Sequence, residues 1–314
     1  MTTIDDGPPV CHAETATKPA RRSSHAAPGE RPLNQRVIRL AHRLAEASGR
    51  VIQQHFREPI PVQHKLDDSP VTEADIGAEA VMRPLIEAEF PEHGIVGEEF
   101  GSVREDAEYV WVIDPIDGTK AFICGRPTFG TLIAVLRRGK PWFGMMNQPI
   151  TRERWVGGAG YRTTLNGAPV SVRECARLAD AQLDSSGLEF FNAEDRRDFN
   201  RLFEMVRVPR LGGDCYAYGC MACGFVDLIC ETSHHLYDFA ALVPIVEGAG
   251  GIMSDWDGRP LDANSGDRVL AAGDRRVHEA ALAVLADRGE WGEAAPHSVG
   301  AAPISGTSDS SGGA

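Results

Sequence analysis

Residues 109–119 read Tyr-Val-Trp-Val-Ile-Asp-Pro-Ile-Asp-Gly-Thr and combine an apolar run with two closely spaced aspartates. The first five of these residues are β-branched or aromatic and the pair Asp114-Pro115 follows them, so the pattern predicts a buried strand that runs into a turn. Asp117 comes three residues after Asp114, and the proline bends the chain between them, so both carboxylates can converge on one point. Two carboxylates this close repel each other unless a cation lies between them.

The oxygen ligands of such a pair favour Mg²⁺, Mn²⁺ or Ca²⁺ over zinc, and no ordered set of His and Cys residues competes with them. Gly118 and Thr119 follow, and this pair offers backbone N–H groups and a hydroxyl to a phosphate group. The spacing alone leaves an ordinary turn open as the alternative, in which Asp114 caps the following segment and Asp117 precedes a loop glycine.

Three further acidic places accompany this stretch. Glu98 and Glu99 follow the apolar pair at 95–96, Asp75 lies in the first turn of a predicted helix, and Asp238 opens another predicted helix. Each of these places also has an ordinary structural interpretation. Glu98 and Glu99 would be a solvated acidic pair, Asp75 a first-turn carboxylate favoured by the helix dipole, and Asp238 an N-cap. The spacing does not show whether the four places meet in space.

Two different periods of apolar residues run through the rest of the chain. Helical spacing predicts a first helix over about 34–56, and Thr72 is the predicted N-cap of a second helix that ends near Phe90. The first half is otherwise rich in strands and the second half alternates strands and helices, which predicts an α/β (α+β) sandwich of two subdomains, about 34–175 and 176–288. The other predicted elements are strands at 131–136, 142–147, 154–156, 183–186, 208–211 and 225–230, a hairpin turn at Asn166-Gly167, and helices at 193–206, 214–223, 238–249 and 275–287.

The composition is that of an ordinary folded protein. Of the 314 residues, 42% are hydrophobic and 25% are charged, which excludes a wholly disordered or fibrous chain. Residues 1–33 and 289–314 lack apolar periodicity, so we predict disordered tails there. With 32 Lys and Arg against 45 Asp and Glu, the net charge of −13 argues against nucleic acid and anionic membranes as partners. No apolar run approaches the roughly 20 residues that a membrane-spanning helix needs.

The seven cysteines do not indicate a disulfide framework, because their number is odd and four of them lie between residues 215 and 230. Cys220 and Cys223 have the spacing of a redox or zinc pair, but no second pair follows, so buried thiols on a helix are the favoured interpretation. No signal peptide is visible at the N-terminus, and a cytoplasmic location is expected.

Taken together, the motifs resemble those of the inositol monophosphatase-like, metal-dependent phosphatases. The matching stretches are Gly-Glu-Glu at 97–99, Trp-Val-Ile-Asp-Pro-Ile-Asp-Gly-Thr at 111–119, Tyr-Asp at 237–238 and Gly-Ala-Gly-Gly at 248–251. They occur in the family's order, and the similarity covers about residues 34–288. The resemblance implies a layered α-β-α-β-α sandwich, hydrolysis of phosphate monoesters, two or three Mg²⁺ ions per site with Mn²⁺ as a substitute, and a homodimer.

The resemblance also implies roles for the motif residues. Carried over by position, these are metal ligation by Glu98, Asp114, Asp117, Asp238 and the Ile116 carbonyl, and phosphate binding by Gly118 and Thr119. Glu98, Thr119 and Asp75 are expected to be catalytic, with a metal-activated water, held by Glu98 and Thr119, attacking the phosphorus in line. Glu99 is expected just outside the metal ligands, and Lys65 is expected to close over the site. Substitution of a metal-ligating aspartate by asparagine is expected to nearly abolish turnover while the fold persists.

Within this superfamily, the stronger similarity is to the histidinol-phosphate phosphatases. Three stretches carry it: Asp-Gly-Thr-Lys-Ala-Phe-Ile-Cys-Gly at 117–125, Thr-Phe-Gly-Thr-Leu-Ile at 128–133 and Gly-Asp-Cys-Tyr-Ala-Tyr-Gly at 213–219. The implied reaction converts L-histidinol phosphate and water to L-histidinol and phosphate, a step of histidine biosynthesis.

A leaving group that carries an ammonium and an imidazole needs carboxylates around it, so Asp214 and Glu231 are candidate substrate contacts, with Lys120 as a third. An N-cap role for Asp214 and a surface position for Glu231 are the structural alternatives. The adjacent histidines 234 and 235 could border the same pocket, although loop histidines are more often exposed. An inositol-1-monophosphatase, a 3′(2′),5′-bisphosphate nucleotidase and a non-catalytic metal-binding regulatory protein stay open as other functions.

Overall fold

The structure of the protein, a computed structural model, describes residues 30–65 and 69–287. The predicted tails at 1–33 and 289–314 lie outside these residues, except that the first helix already begins at Glu30, inside the predicted N-terminal tail. The described residues form eight α-helices: α1 Glu30–His55, α2 Glu73–Glu89, α3 Thr119–Ile123, α4 Ala193–Met205, α5 Asp214–Ala222, α6 Leu236–Phe239, α7 Leu242–Gly248 and α8 Arg275–Ala286.

The same residues form fifteen strands: β1 Val62–His64, β2 Pro70–Thr72, β3 Gly94–Gly97, β4 Gly101–Val103, β5 Tyr109–Asp117, β6 Gly130–Arg137, β7 Lys140–Gln148, β8 Glu153–Gly158, β9 Tyr161–Leu165, β10 Ala168–Pro169, β11 Gln182–Asp184, β12 Val208–Pro209, β13 Leu228–Glu231, β14 Ile252–Ser254 and β15 Val269–Ala272. Two 3₁₀ turns, Leu178–Asp180 and Leu188–Phe190, flank β11. No described helix is long and apolar enough to cross a membrane.

The larger sheet has eight strands in the order β10-β9-β8-β7-β6-β5-β3-β4. Its neighbouring strands are antiparallel except β3 and β5, which run parallel. Because alternate side chains point to opposite faces of a sheet, β5 is buried on both sides. Trp111 and Ile113 pack under α1 and α2, whereas Val110 and Val112 face the middle of the molecule. The apolar run at 109–113 therefore forms the buried strand that the sequence predicts.

A smaller sheet lies on the far side of a middle layer of helices. Its five strands have the order β12-β11-β13-β15-β14. On β13, Ile229 faces the middle layer of α5, α6 and α7, while Leu228 and Cys230 face α4 and α8. The layers are thus α1 and α2, the eight-stranded sheet, α5 to α7, the five-stranded sheet, and α4 with α8. This is the α-β-α-β-α sandwich that the resemblance implies.

Local signals in the sequence predict several boundaries correctly. Thr72 caps α2 as predicted, and its hydroxyl accepts a hydrogen bond from the N–H of Ala74 at 3.1 Å. Asn166 and Gly167 join β9 to β10 and both have positive φ, as the type I′ turn of a two-residue hairpin requires.

Two predictions need correction, the helix over 238–249 and the N-cap interpretation of Asp238. The predicted helix over 238–249 is wrong, because the chain forms two short helices, α6 and α7. Pro244 has no N–H to donate to the carbonyl of Ala240, so a continuous helix would lose this bond, and α7 instead begins with the proline in its first turn. Asp238 consequently lies in the first turn of α6, whose N-cap is His235.

Candidate active site

All but two of the predicted site residues line one cavity of about 660 Å³. It lies where β5 ends, beside the first turns of α3, α5 and α6. The predicted residues that line it are Lys65, Glu98, Asp114, Ile116, Asp117, Gly118, Thr119, Lys120, Asp214, Glu231 and Asp238. Asp75 and Glu99 do not line the cavity and lie behind it.

Three aspartates form the acidic centre of this cavity. Asp114 and Asp117 lie at the end of β5, on either side of a shift in its register against β6. Asp238 is held in the first turn of α6, where its Oδ2 accepts a hydrogen bond from the N–H of His235 at 2.6 Å. One carboxylate oxygen of each aspartate lies within 4.8 Å of those of the other two, so the three could hold a metal ion.

Burial raises the pKa of all three carboxyl groups. The pKa of Asp114 lies well above its ordinary value, because burial and then the charges of Glu98, Asp117 and Asp238 disfavour ionisation. For Asp117 and Asp238, burial raises the pKa to about 7, and the charge of His234 partly opposes it. Within the described residues, Oδ1 of Asp114 is buried without a hydrogen-bond partner. A divalent cation would satisfy this oxygen and offset the repulsion, so these residues fit a metal ion.

Two glutamates extend the acidic centre on one side. Glu98 and Glu99 follow β3, which runs parallel to β5 and therefore ends at the same edge of the sheet. The Nζ of Lys65 donates to Oε1 of Glu98 at 2.7 Å and to Oε1 of Glu99 at 2.8 Å. Burial lowers the pKa of Lys65, but the hydrogen bonds and charges of the glutamates outweigh it and raise the pKa above its ordinary value. Burial raises the pKa of Glu99 to about 7, against the effect of Lys65.

Asp75 is connected to the cavity by a hydrogen-bond contact with Thr119. Its Oδ2 accepts hydrogen bonds from the N–H and the hydroxyl of Thr72, at 2.8 and 2.6 Å. The Thr119 hydroxyl lies 3.3 Å from Oδ1 of Asp75 and 3.1 Å from the carbonyl oxygen of Ile116. Since a hydroxyl has one proton, Thr119 donates to one of these oxygens, and its own lone pairs can accept a bond from a water. Burial raises the pKa of Asp75, although the hydrogen bonds from Thr72 oppose it.

Gly118 brings the backbone close to the cavity at the start of α3. Its φ of +86° is a conformation that favours glycine. A Cβ atom at this position would lie 3.0 Å from Cβ of Asp214 and 3.2 Å from Cα of Phe129. Gly118 and Thr119 both line the cavity at this turn.

Asp214 lies on the wall next to Gly118. It is the first residue of α5 and Gly213 is the N-cap, so the N-cap interpretation of Asp214 is wrong. Its Oδ2 accepts a hydrogen bond from the hydroxyl of Thr128 at 3.0 Å. Burial raises the pKa of Asp214 to about 6, and the bond from Thr128 opposes this.

Lys120 lies at the rim of the cavity, where it pairs with a residue that the sequence did not single out. Its Nζ is 3.0 Å from Oε1 of Glu189, and it lies 4.4 Å from the ring centre of Phe190. Both charged side chains are about half exposed, at 52% and 56%. This contact joins α3 to the 3₁₀ turn before α4, across a separation of 69 residues.

Comparison with known proteins identifies the family. The model of the inositol monophosphatase family matches residues 33–290 of the chain. The chain belongs to this family. Inositol monophosphatase family enzymes are phosphatases of small phosphate monoesters and use divalent metal ions, commonly Mg²⁺.

Individual members of the inositol monophosphatase family are similar over most of the chain. The bifunctional phosphatase IMPL2, chloroplastic, of Arabidopsis thaliana is 46% identical over 265 residues, which cover 82% of this chain and 75% of that protein. A histidinol-phosphatase of Chlorobaculum parvum is 37% identical over 229 residues, 71% of this chain and 86% of that protein. A solved structure of an inositol monophosphatase from Zymomonas mobilis is 49% identical with a TM-score of 0.75, covering 80% of this chain and 98% of that one. The homodimer and the cytoplasmic location expected from the sequence stay predictions.

Glu231 contributes a buried charge to this phosphatase cavity. It ends β13 with 3% exposure, so its interpretation as a surface acid is wrong. Its Oε1 accepts hydrogen bonds from the N–H of Ser186, at 2.8 Å, and from the hydroxyl of the same residue. Its Oε2 lies 2.7 Å from the Tyr218 hydroxyl and 2.9 Å from Nε2 of His234. Donors from the protein thus occupy both oxygens.

His234 is the site residue that sequence reasoning left as an exposed loop histidine. Its side chain is only 11% exposed, and it lies 3.9 Å from Oδ2 of Asp238. Burial lowers the pKa of His234, but the hydrogen bond and charge of Glu231 outweigh it and raise the pKa to about 9. A cationic imidazole therefore lies between two of the cavity's carboxylates. The sequence offered one signal for the burial and pairing of His234: it lies three residues after Glu231, an acid at the end of a predicted strand.

Proposed function

We propose that the protein is a Mg²⁺-dependent histidinol-phosphatase, which hydrolyses L-histidinol phosphate to L-histidinol and phosphate in histidine biosynthesis. One observation carries the proposal: the cavity holds carboxylates beyond those that would bind metal, with Asp214 on its wall and Glu189 at its rim. A leaving group with an ammonium and an imidazole is cationic, so carboxylates on the cavity wall attract it. A neutral polyol gains no such attraction. The similarity to a histidinol-phosphatase of Chlorobaculum parvum supports the same substrate.

Asp114, Asp117 and Asp238 would hold the metal, together with Glu98 and the carbonyl of Ile116. Bound Mg²⁺ would supply positive charge that offsets the phosphate dianion and lowers the pKa of a bound water. Because the pKa values of the three aspartates are raised, a bound cation would also favour their ionised forms.

The residues around the metal ligands bind phosphate and move one proton. The N–H groups at Gly118 and Thr119, two residues that line the cavity, would bind the phosphate oxygens. The Thr119 oxygen would accept a hydrogen bond from the attacking water and orient it. As the water loses its proton, this proton would pass through the Thr119 hydroxyl to the ionised carboxylate of Asp75, and the leaving alkoxide would take a proton from another water in the cavity. Lys65 would hold Glu98 in place.

Asp214 is the best-placed contact for the leaving group. It lies beside the phosphate-binding glycine, and Thr128 donates to only one of its oxygens. Glu231 is less available, because donors from the protein already occupy both of its oxygens. Lys120 is paired with Glu189 at the rim, so we expect it to set the position of this acid.

An inositol-1-monophosphatase is the second candidate, because a solved inositol monophosphatase is 49% identical to this chain. A bisphosphate nucleotidase is less well supported. The Lys and Arg residues among the described lining residues are Lys65 and Lys120, and both are already paired with glutamates. A second phosphate would find no free cation there.

The test is a comparison of kcat/KM for histidinol phosphate and inositol 1-phosphate at matched Mg²⁺, with wild type and Asp214→Asn. We expect wild type to prefer histidinol phosphate by at least about tenfold, and Asp214→Asn to lose about 10- to 100-fold on that substrate alone, as for a lost charged contact. Inositol 1-phosphate serves as the internal control, because it has no cation to contact Asp214. A wild-type preference for inositol 1-phosphate would replace the proposal with the second candidate, and phosphate release that survives EDTA would refute a metal-dependent reaction.

A further inference from the structure

A second cavity, of about 830 Å³, lies between α1 and strands β7, β8 and β9. It shares no lining residue with the active-site cavity. Four arginines line it: Arg50, Arg152, Arg154 and Arg162. Among the described residues that line it, Glu46 is the single carboxylate. A cluster of positive charge is unexpected here, because the chain as a whole carries a net charge of −13.

Arg154 is fixed in this cavity by neutral partners. Its Nε donates to Oδ1 of the buried Asn147 at 2.9 Å, and its Nη1 is 2.8 Å from Nδ1 of His42. Burial, and then the charge of Arg154, lowers the pKa of His42, so the imidazole is neutral near pH 7 and can accept the bond. Two of the guanidinium's nitrogens are thus anchored, and the third has no acceptor among the described residues.

The other three arginines are exposed around Arg154. Within residues 30–65 and 69–287, none of the four arginines forms an ion pair with a carboxylate. Arginine guanidinium groups normally meet carboxylate or phosphate oxygens, which match their planar arrangement of donors. Four unpaired guanidinium groups around one cavity therefore point to an anion with more than one charged group.

Other lining residues define the size and character of the ligand. Tyr161 provides aromatic surface, and Gln53 and Thr164 provide polar groups. A volume of about 830 Å³ suits a small molecule. We propose that this cavity is a second ligand site, which binds a small organic anion carrying phosphate or carboxylate groups.

Isothermal titration calorimetry of the full-length protein tests this site, with pyrophosphate as the phosphate probe and citrate as the carboxylate probe. The titrations are made in EDTA and low salt, because the metal-free active site is acidic and repels both probes. We expect one probe molecule per chain, and at least about tenfold weaker binding in Arg50→Gln/Arg162→Gln, since two charge-assisted contacts are lost. Both arginines are exposed, so the variant should keep the wild-type circular dichroism spectrum.

The matched control is Arg39→Gln/Arg197→Gln, which removes the same charge from exposed positions outside the cavity. Binding of either probe that weakens in the cavity variant and not in the control supports the site and identifies its preferred anionic group. Absence of binding by both probes, or equal weakening in both variants, would overturn the proposal. Neither result depends on the substrate of the active site.

Discussion

A Cβ atom on Gly118 would lie 3.0 Å from the Cβ of Asp214. The backbone that follows β5 is therefore in direct contact with the start of α5. This contact places the proposed phosphate-binding backbone against the proposed leaving-group contact. Both residues have positive φ, +86° for Gly118 and +44° for Asp214. Aspartate tolerates this conformation better than most residues that have a side chain, and Asp214 lines the cavity.

Gly118→Ala should destabilise the fold by about 2 kcal/mol, because the left-handed backbone and the contact with Asp214 both oppose a side chain. We also expect kcat/KM to fall, since the shifted backbone carries the N–H groups that would bind phosphate. Gly160→Ala is the matched control: its φ is +83° but no atom lies within 4 Å of the added methyl, so it reports the backbone strain alone. Chemical denaturation of both variants measures the difference, and equal losses would mean that the contact with Asp214 costs nothing.

Asp114→Asn and Asp238→Asn should each lower turnover by at least about 100-fold at saturating Mg²⁺, because each removes a charged ligand. The fold should persist, and in EDTA the melting temperature should equal or exceed that of wild type, since one of several repelling carboxyl groups is gone. Wild type should gain melting temperature on addition of Mg²⁺, whereas the variants should not. Differential scanning calorimetry and phosphate release check both statements. Near-wild-type activity would refute the assignment of these aspartates.

The stability of the metal-free protein should fall as pH rises from about 4 to about 7. Asp117 and Asp238 have pKa values of about 7 in the folded chain, against 3.8 ordinarily, with burial as the main cause. Between these values the folded state binds more protons than the unfolded state, so the free energy of unfolding decreases with pH. Saturating Mg²⁺ should remove this decrease, because it binds the ionised carboxylates.

Melting temperatures at pH 5, 6, 7 and 8, in EDTA and in Mg²⁺, measure this effect. Asp238→Asn should show a smaller decrease in EDTA than wild type, because one of the titrating groups is absent. A melting temperature in EDTA that is constant from pH 5 to 8 would contradict the raised pKa values.

The positions of Asp114, Asp117 and Asp75 have local causes in the sequence, whereas only the family resemblance implied that Asp238 joins the two aspartates of β5. Asp114 and Asp117 end an apolar strand that must be buried on both faces, and Asp75 is fixed by the N-cap at Thr72. Such signals depend on neighbours in sequence. The three-residue spacing and the proline then place the carboxylates of β5 together.

Contacts between distant parts of the chain could not be predicted in this way. Lys120 and Glu189 are 69 residues apart and meet only because α3 and a 3₁₀ turn border the same cavity. The burial of Glu231 depends on the packing of β13 in the smaller sheet, and no pattern in the sequence distinguishes it from a surface acid. The charge of His234 depends in turn on its hydrogen bond to Glu231.

Thr119→Val should lower kcat by about 100-fold or more, a typical loss for a positioned proton-transfer group, with little change in stability. Valine has the shape of threonine but no hydroxyl, so the path from the attacking water to Asp75, through an oxygen 3.3 Å away, would be lost. Thr119→Ser is the matched control, because it keeps the hydroxyl and loses only a methyl group. If the hydroxyl carries the proton, serine should restore most of kcat and the valine variant should bind Mg²⁺ as wild type does, as measured by its melting temperature. Loss of activity in both variants would instead indicate that the methyl group, through packing at the start of α3, is what the site needs from Thr119.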